Sequence, residues 1–284
     1  SAALLARPTA SNGPLRLFFL AVGQGDAAAI RTPRGHWVLV DAGPRDARLD
    51  AGASVVAPFL RRHGVRALDL LVISHAHADH VGGAASVMAR VPVSQVLEPA
   101  ELSDDAGYGQ FLEAVAASGS RYGAARDGQQ VMIDGVRFTV LHPDRAWPEW
   151  GLDLNEDSVV LLVEYGAFRA VFAGDAGLVA EQRLRARVGD VSVLKVGHHG
   201  SRTATGDAWL RELRPEVAVI SVGRRNRYGH PTAEALERLR SVGARIRRTD
   251  DDGTVTVETD GATMMISGRS GVEHLPLAPP SVTP

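Results

Sequence analysis

Four side chains that can bind a metal lie within the six residues from His75 to His80, in the order His-Ala-His-Ala-Asp-His. Imidazole and carboxylate ligands together suit zinc, manganese or iron, and the chain has no cysteine that would offer a thiolate. In an extended chain, the two-residue spacing of His75 and His77 directs both rings to the same side. Asp79 and His80 lie at the turn into a helix and can face a second ion. The hexapeptide therefore predicts a hydrolytic metal site.

Other candidate site residues also follow apolar runs, mostly beside glycine. They are Asp41, Asp175, His198-His199 and His230, and six of the ten histidines fall in three such loops. Loops at one edge of a rigid sheet are where a hydrolase can hold its catalytic groups. Asp175 is suited to bridge two ions about 3.5–4 Å apart, a pair that can activate water and clamp the oxygens of a displacement. Asp41, which precedes a glycine-containing turn, is either a turn residue or a site carboxylate.

The elements that must position these residues alternate along the chain. Apolar runs bounded by turn residues predict strands at 15–22, 27–32, 36–41, 68–74, 93–97, 131–133, 136–141, 158–164, 168–172, 191–196, 217–222, 246–248, 254–258 and 263–267. Helical periodicity predicts helices at 52–63, 80–88, 110–117, 178–187, 208–213 and 232–242. Two β-rich halves with helices outside predict two packed sheets covered on both faces. We expect a linker at 1–14, one domain at 15–270 and a proline-rich tail at 271–284.

Composition is that of a water-soluble globular chain of 284 residues with a formal net charge of −2. No apolar run approaches the length of a transmembrane helix, and residues 1–10 lack the pattern of a signal peptide. Nearly all basic residues are arginine, and they cluster at 224–227 and 238–248. These clusters are either phosphate-binding or part of a solvated surface.

The hexapeptide resembles the HxHxDH signature of the metallo-β-lactamase superfamily. Asp41, Asp175 and His198 stand where that family has its first, fourth and fifth motifs. The resemblance covers about residues 15–267 and implies an α+β fold, the αββα sandwich of two mixed sheets flanked by helices. It also implies one or two divalent metal ions, Mn²⁺ or Zn²⁺, between the sheets.

Three further stretches, 21–26, 194–201 and 226–231, are similar to the soluble domain of the ComEC family of DNA-uptake proteins. That resemblance implies a nuclease that degrades the non-imported DNA strand during competence. It further implies DNA as a partner, an adjacent membrane channel domain and an extracytoplasmic location. The absence of cysteine fits a cytoplasmic location equally, so that alternative stays open.

One departure affects the metal site. The superfamily's third motif carries a histidine, whereas the corresponding stretch here, 154–158, has none. The His75/His77 ion is then one ligand short unless Asn155, water or a substrate phosphate completes the shell. A single ion held by Asp79, His80, Asp175 and His198 is the alternative. We interpret His142 as a strand-end residue rather than a replacement ligand.

The resemblance also assigns roles to the remaining residues. It favours His198 over His199 as the metal ligand, and it makes His230 a general acid or a phosphate anchor. Catalytic candidates are Asp79, His230, Asp41 and His199. Candidate donors to substrate phosphate are Asn155, Ser201, Ser221 and Asn226, while Gln24 and Asp26 are expected to brace the site.

Three functions follow as hypotheses. The first is a metal-dependent phosphodiesterase acting on DNA. The second keeps the metal but hydrolyses a small ester, lactone or phosphoester. The third is a non-catalytic DNA-binding module with a degenerate metal site.

Overall fold

Two β-sheets lie face to face at the centre of the fold, in a computed structural model that describes residues 13–101, 103–144 and 153–277. The first sheet contains β1 (Leu15–Phe19), β2 (Ala28–Arg31), β3 (Trp37–Val40), β4 (Leu70–Val72), β5 (Gln95–Glu98), β6 (Arg121–Ala124), β14 (Val255–Thr259), β15 (Thr263–Gly268) and β16 (Gly271–Pro276), numbered along the chain. Their order in the sheet is β16-β15-β14-β1-β2-β3-β4-β5-β6. The run β3-β4-β5-β6 is parallel and the other neighbours are antiparallel.

The second sheet contains seven strands. They are β7 (Gln130–Ile133), β8 (Val136–His142), β9 (Val160–Tyr165), β10 (Phe168–Phe172), β11 (Val193–Lys195), β12 (Val217–Ile220) and β13 (Arg245–Arg248). Their order is β13-β12-β11-β10-β9-β8-β7, and β10 to β13 run parallel. Because carboxyl ends of parallel strands meet at one edge of a sheet, each sheet brings several strand-end loops together.

Helices cover the outer faces. They are α1 (Ala57–Arg62, preceded by a π-helical turn at Gly52–Val56), α2 (Ala78–Val81), α3 (Ala84–Met88), α4 (Ala106–Ser118), α5 (Leu178–Leu184), α6 (Asp207–Leu213), α7 (Ala233–Ser241) and α8 (Thr249–Asp252). None of the described helices is long and apolar enough to span a membrane.

Three apolar layers hold the sheets and helices together. In β1, Leu17 and Phe19 face the second sheet, whereas Phe18 faces the helices on the outside. The rings of Phe19 and Phe172 stack across the two sheets with centroids 5.6 Å apart. A third cluster, which includes Trp209, packs α5, α6 and α7 against the second sheet. This alternation follows from the period of two in a strand, and the predicted αββα sandwich is confirmed.

The chain end differs from the prediction. Residues 271–276, predicted to lie in a tail, form strand β16, which pairs antiparallel with β15 along its full length. The sequence analysis also missed β6, and it began α4 four residues late, at 110 instead of Ala106. Asp105 caps α4, since its side chain accepts a hydrogen bond from the Gly107 amide at 2.7 Å. Residues 1–12 of the predicted linker and 278–284 of the predicted tail lie outside the described residues, as do residues 102 and 145–152.

Candidate metal centre

Backbone hydrogen bonds join the strand-end loops around the hexapeptide. The Ala42 amide donates to the carbonyl oxygen of His80 at 2.8 Å, and the Asp26 amide donates to that of Asp79 at 3.1 Å. From the second sheet, the Val159 amide donates to the carbonyl oxygen of Ser74 at 2.7 Å. The loops after β3 and β4 and the start of β9 are thereby fixed relative to one another. As predicted, the histidines and aspartates of separate loops converge.

The first group of converging side chains consists of Asp79, His80, Asp175 and His199. Nε2 of His80 lies 3.3 Å from Oδ1 of Asp175. Nε2 of His199 lies 3.2 Å from Oδ2 of Asp79 and 3.7 Å from Oδ2 of Asp175. Both imidazoles are buried. Two imidazole nitrogens with a carboxylate oxygen 3.2–3.7 Å from each form a ligand set that suits a divalent transition metal.

Asp26 also lies within ligand distance of this group, with ligand atoms of Asp26, His80, Asp175 and His199 all within 4.8 Å of one another. Its oxygens, however, face the Nδ1 atoms of the two rings, at 3.7 Å from His80 and 3.5 Å from His199. Asp26 also accepts a short hydrogen bond from Nζ of Lys195. It therefore lies behind the imidazoles and braces them, as the sequence predicted.

Further contacts fix the ring orientation of both histidines. Nδ1 of His80 lies 2.9 Å from Oδ2 of Asp41. The same oxygen accepts a hydrogen bond from the Ser74 hydroxyl, and Oδ1 of Asp41 accepts one from the Ser74 amide. Nδ1 of His199 lies 2.9 Å from the carbonyl oxygen of Ser221. Oxygen acceptors of this kind hold a proton on Nδ1 and leave Nε2 free to bind a metal. Asp41 is thus a site carboxylate and not merely a turn residue. Being buried behind His80, it positions that ring, which corrects the predicted catalytic role.

A second group lies beside the first and shares Asp175. Nε2 of His75 is 3.0 Å from Nδ1 of His77 and 4.0 Å from Oδ2 of Asp175. Asn155 lines the same cavity, and its buried Oδ1 has no hydrogen-bond partner. The predicted shortage of a third protein ligand therefore coincides with an unpartnered amide oxygen. His142, the other residue considered, lies 2.8 Å through Nε2 from the carbonyl oxygen of Glu156.

Two observations indicate that these residues fit a metal: buried ligand atoms without hydrogen bonds, and an excess of negative charge. Nε2 of His80 and Oδ1 of Asp175 lie 3.3 Å apart but form no hydrogen bond with each other or with another described group, which is costly for buried atoms unless a ligand satisfies them. Burial opposes the charged form of His199, yet Asp175 and Asp26 raise its pKa to about 10. Burial likewise opposes protonation of His80, but Asp175 and Asp41 raise its pKa well above the ordinary value. The first group and the two aspartates behind its rings, Asp26 and Asp41, contain more carboxylates than histidines. This excess of negative charge fits a divalent cation.

His198 has a different position from the one predicted. Its side chain is 27% exposed, and Nε2 lies 3.8 Å from Oδ2 of Asp175. Its ring meets that of His230 edge-on, with centroids 5.8 Å apart. His199, which the resemblance made the secondary choice, is the buried ring that faces both Asp79 and Asp175. The geometry therefore reverses the predicted preference for His198.

A cavity of about 310 Å³ opens onto both groups. Its lining among the described residues is Gln24, His77, Ala78, Asp79, Asn155, Asp175, His198, His199, Tyr228 and His230. Burial and the nearby His198 and His199 lower the pKa of His230, which favours its neutral form. Its Nδ1 atom is buried and has no partner. His230 therefore presents a neutral imidazole at the cavity, where it can hydrogen-bond a substrate oxygen.

Three predicted phosphate donors have other roles. Ser201 is buried and its hydroxyl pairs with that of Thr203 at 2.9 Å. Ser221 is buried and acts through its carbonyl oxygen on His199. Asn226 closes its own loop, since its side chain donates to the carbonyl oxygen of His230 at 2.7 Å and accepts from the His230 amide at 3.0 Å. None of the three is among the residues that line the cavity in the described structure.

The arginine clusters separate into two kinds. In the second cluster, Arg247 and Arg245 pair with Glu273, and Arg248 pairs with Asp250. These side chains support the fold. In the first cluster, Arg225 and Arg227 are exposed beside Tyr228. Sequence reasoning did not single out Tyr228 or Lys195 as functional. Lys195 is the chain's only lysine, and that rarity beside the histidine pair was the available signal.

Comparisons with known proteins agree with this geometry. Residues 20–224 match the family model described as Metallo-beta-lactamase superfamily. In structure, the chain is similar to the metallo-beta-lactamase fold protein YhfI from Bacillus subtilis, with a TM-score of 0.56 at 12% identity over 87% of this chain and 100% of that one.

In sequence, two curated relatives match most of the chain. It is 31% identical to ComE operon protein 3 of Bacillus subtilis, over 82% of this chain and 32% of the relative. It is 34% identical to Competence protein ComA of Neisseria gonorrhoeae, over 88% of this chain and 32% of the relative. The chain thus spans about a third of the length of these relatives.

Proposed function

This chain belongs to the metallo-β-lactamase superfamily, and we propose that it is a metal-dependent phosphodiesterase that hydrolyses DNA in competence. The observation that carries the proposal is Asp175, which lies between two histidine groups at the floor of one open cavity. Two cations sharing a carboxylate are suited to phosphodiesters, because the reaction develops charge on both the attacking and the leaving oxygen.

Different residues would bind the ions, orient the imidazoles and contact the substrate. Asp79, His80, Asp175 and His199 would hold one divalent ion, and His75, His77 and Asp175 a second with Asn155 beside it. When bound, such ions supply Lewis acidity and lower the pKa of water. Asp41, Asp26 and the Ser221 carbonyl keep the imidazoles oriented. His198 and neutral His230 lie at the open side, where they can hydrogen-bond phosphate oxygens or the departing oxygen.

The proposal that this domain acts in competence rests on its named relatives. One of them is named Competence protein ComA, and the matched region is about a third of its length. We propose the same setting for this domain: DNA as substrate, an adjacent membrane channel domain and an extracytoplasmic location. Within that setting, the strand to be degraded is the one that is not imported.

The test is a metal-by-metal cleavage assay. Protein stripped with a chelator is reloaded separately with Mn²⁺ or Zn²⁺ and incubated with single- and double-stranded DNA. We expect cleavage with at least one ion. We expect a loss of at least about 100-fold in Asp175→Asn, because changing even the partners behind metal ligands costs about 10- to 100-fold and Asp175 would itself be a ligand. Glu237→Gln, an exposed carboxylate on α7, is the matched control and should cleave like the unmodified protein.

Other outcomes identify the competing functions. Hydrolysis of a small phosphodiester or a lactone, with DNA untouched, would replace DNA as the substrate. Tight DNA binding without turnover, unchanged in His77→Ala and Asp175→Asn, would identify a binding module instead of an enzyme.

A further inference from the structure

Tyr228 is an exposed aromatic residue at the mouth of the metal-centre cavity. Its side chain is 53% exposed, although it belongs to the residues that line the cavity with Asp79 and Asp175. It lies in the loop between β12 and α7. Asn226 holds this loop closed through its hydrogen bonds to both backbone groups of His230. The ring is therefore presented by a fixed loop.

Two neighbouring side chains contact Tyr228 without burying it. The ring lies nearly parallel to that of His230, at 17° with centroids 6.0 Å apart. The Arg227 guanidinium donates to the Tyr228 hydroxyl at 2.8 Å, and its central carbon lies 5.0 Å from the ring centroid. The hydroxyl is therefore paired with an exposed arginine, and because Tyr228 is 53% exposed, part of its aromatic ring remains open to a ligand.

Two imidazole rings, those of His230 and His198, lie between Tyr228 and the metal centre. His198 meets His230 edge-on and its Nε2 lies 3.8 Å from Asp175, so a series from Asp175 through His198 and His230 to Tyr228 connects the floor of the cavity to its mouth. A cavity of about 310 Å³ is at the small end of ligand sites and fits one nucleotide rather than a duplex. A phosphate at the floor would place the attached base beside the rings at the mouth.

We propose that Tyr228 is a stacking platform for the base next to the scissile phosphate, and that the cavity therefore takes unpaired nucleotides. The inference rests on the proposed phosphodiesterase function and names its substrate class, a single strand or a frayed end. Every base offers a π face, so stacking tolerates any sequence. In a duplex the same faces are covered by neighbouring base pairs, and a pair must open before the base can reach Tyr228. The exposed guanidinium of Arg227 adds positive charge beside the ring for the strand's phosphates.

The kinetic test compares two single strands of equal length on the metal-loaded protein: oligothymidylate, and an oligomer with tetrahydrofuran in place of every base. Tyr228→Ala should raise KM for oligothymidylate by about 5- to 100-fold, the range of one lost aromatic stack. Its kcat should change little, and its KM for the abasic strand should equal that of the unmodified protein. Tyr228→Phe keeps the ring and should behave as the unmodified protein on both strands. Arg227→Ala, the charge control, should weaken binding of both strands equally.

Equal losses on both strands in Tyr228→Ala would overturn the platform, because the residue would then act on the loop or on His230. A Phe variant as impaired as the Ala variant would also overturn it, because the hydroxyl would then be the active part. Circular dichroism of each variant verifies that it is folded, which we expect for an exposed side chain.

A binding signal separates this inference from the proposed function. Stacking quenches the fluorescence of 2-aminopurine, so a strand carrying that base reports contact without turnover. Quenching that depends on Tyr228, with no cleavage under any metal, would keep the platform and remove the nuclease. Cleavage with neither quenching nor a KM effect in Tyr228→Ala would keep the nuclease and remove the platform.

Discussion

Neighbouring histidines at the metal centre point in different directions because of the backbone between Gly197 and Gly200. His198 and His199 both have positive φ angles, 46° and 52°, in a short 3₁₀ turn. One ring is buried against Asp79 and Asp175, while the other lies at the cavity surface. Motif comparison predicted a histidine ligand in this pair, but it could not tell which one, because that depends on left-handed backbone conformations the sequence does not specify.

The first prediction concerns this pair. We expect His199→Ala to lower the content of tightly bound metal by about one ion per chain and activity by at least about 100-fold, since a ring that faces two carboxylates is removed. His198→Ala is the matched control, and its metal content should stay that of the unmodified protein. Elemental analysis after exhaustive dialysis measures both. Metal loss in His198→Ala with full metal in His199→Ala would restore the assignment made from the resemblance.

The second prediction follows from the raised histidine pKa values. Since carboxylates raise the pKa of His199 to about 10 against burial, the metal-free centre is protonated at neutral pH. A metal must displace that proton, so metal affinity should fall as the pH is lowered. Calorimetric titration in two buffers of different ionisation enthalpy should show proton release on metal binding.

The raised pKa of His199 also makes the stability of the metal-free protein depend on pH. Because the pKa of His199 is higher in the folded than in the unfolded protein, protonation of His199 stabilises the metal-free fold. This stabilisation is complete at a pH below the unfolded pKa near 6.5 and is lost as the pH rises through about 10. The melting temperature of metal-free protein should therefore fall over this range, relative to Asp26→Asn, in which one of the carboxylates responsible is neutral. Metal-loaded protein should not show this fall. Identical profiles for metal-free and metal-loaded protein would contradict the prediction.

At the scale of elements, the helix that carries His80 packs unusually close to its neighbour. A Cβ built on Gly83, at the junction of α2 and α3, would overlap the carbonyl oxygen of Ala42 and the backbone of Gly52. The Gly83 amide also donates to the Gly43 carbonyl oxygen at 3.0 Å. This contact sets the distance between the loop of Asp41 and the helix start that bears Asp79 and His80.

The third prediction is that Gly83→Ala destabilises the protein by about 3 kcal/mol and weakens metal binding, since backbone must move to admit the methyl group. Gly109→Ala is the matched control. It lies in α4 with open space around it, so the same change should be neutral or stabilise by up to about 1 kcal/mol. Urea unfolding and metal titration measure both variants. Normal metal affinity in a destabilised Gly83→Ala would show that the contact supports only the fold.

The layers of the fold could be predicted from the sequence, whereas one edge strand and several side-chain roles could not. The αββα layers and the convergence of Asp41, Asp175 and the hexapeptide follow from apolar runs that end in glycine-flanked polar residues. Strand β6 was missed because Arg121–Ala124 is a short edge strand without buried apolar positions. The roles of Ser201, Ser221 and Asn226 were wrong because residue type shows what a side chain can donate, whereas its partners are set by the fold.

At the scale of the whole molecule, polar groups of the described residues join the two sheets at several places, and two of these bear on function and stability. One is the metal centre, where the hexapeptide of the first sheet meets Asp175 and His199 of the second. The other lies where the edge strands β16 and β13 of the two sheets meet, and there Glu273 of β16 pairs with Arg245 and Arg247 of β13. The segment predicted to be a tail therefore connects the edge of one sheet to the edge of the other.

The fourth prediction tests that connection by shortening the chain. Ending the chain at Ser270 removes β16, its ion pairs with β13, and Leu275 and Leu277, which pack against the core between the sheets. We expect a loss of about 2 kcal/mol or more in the free energy of unfolding, since burial of one leucine alone contributes about that much. Metal content should be unchanged, because the ligands follow β4, β10 and β11 near the middle of the sheets. Ending the chain at Leu277, which keeps β16, is the control against which this loss is measured in urea. If both truncations unfold at the urea concentration of the full chain, β16 contributes nothing and the tail interpretation returns.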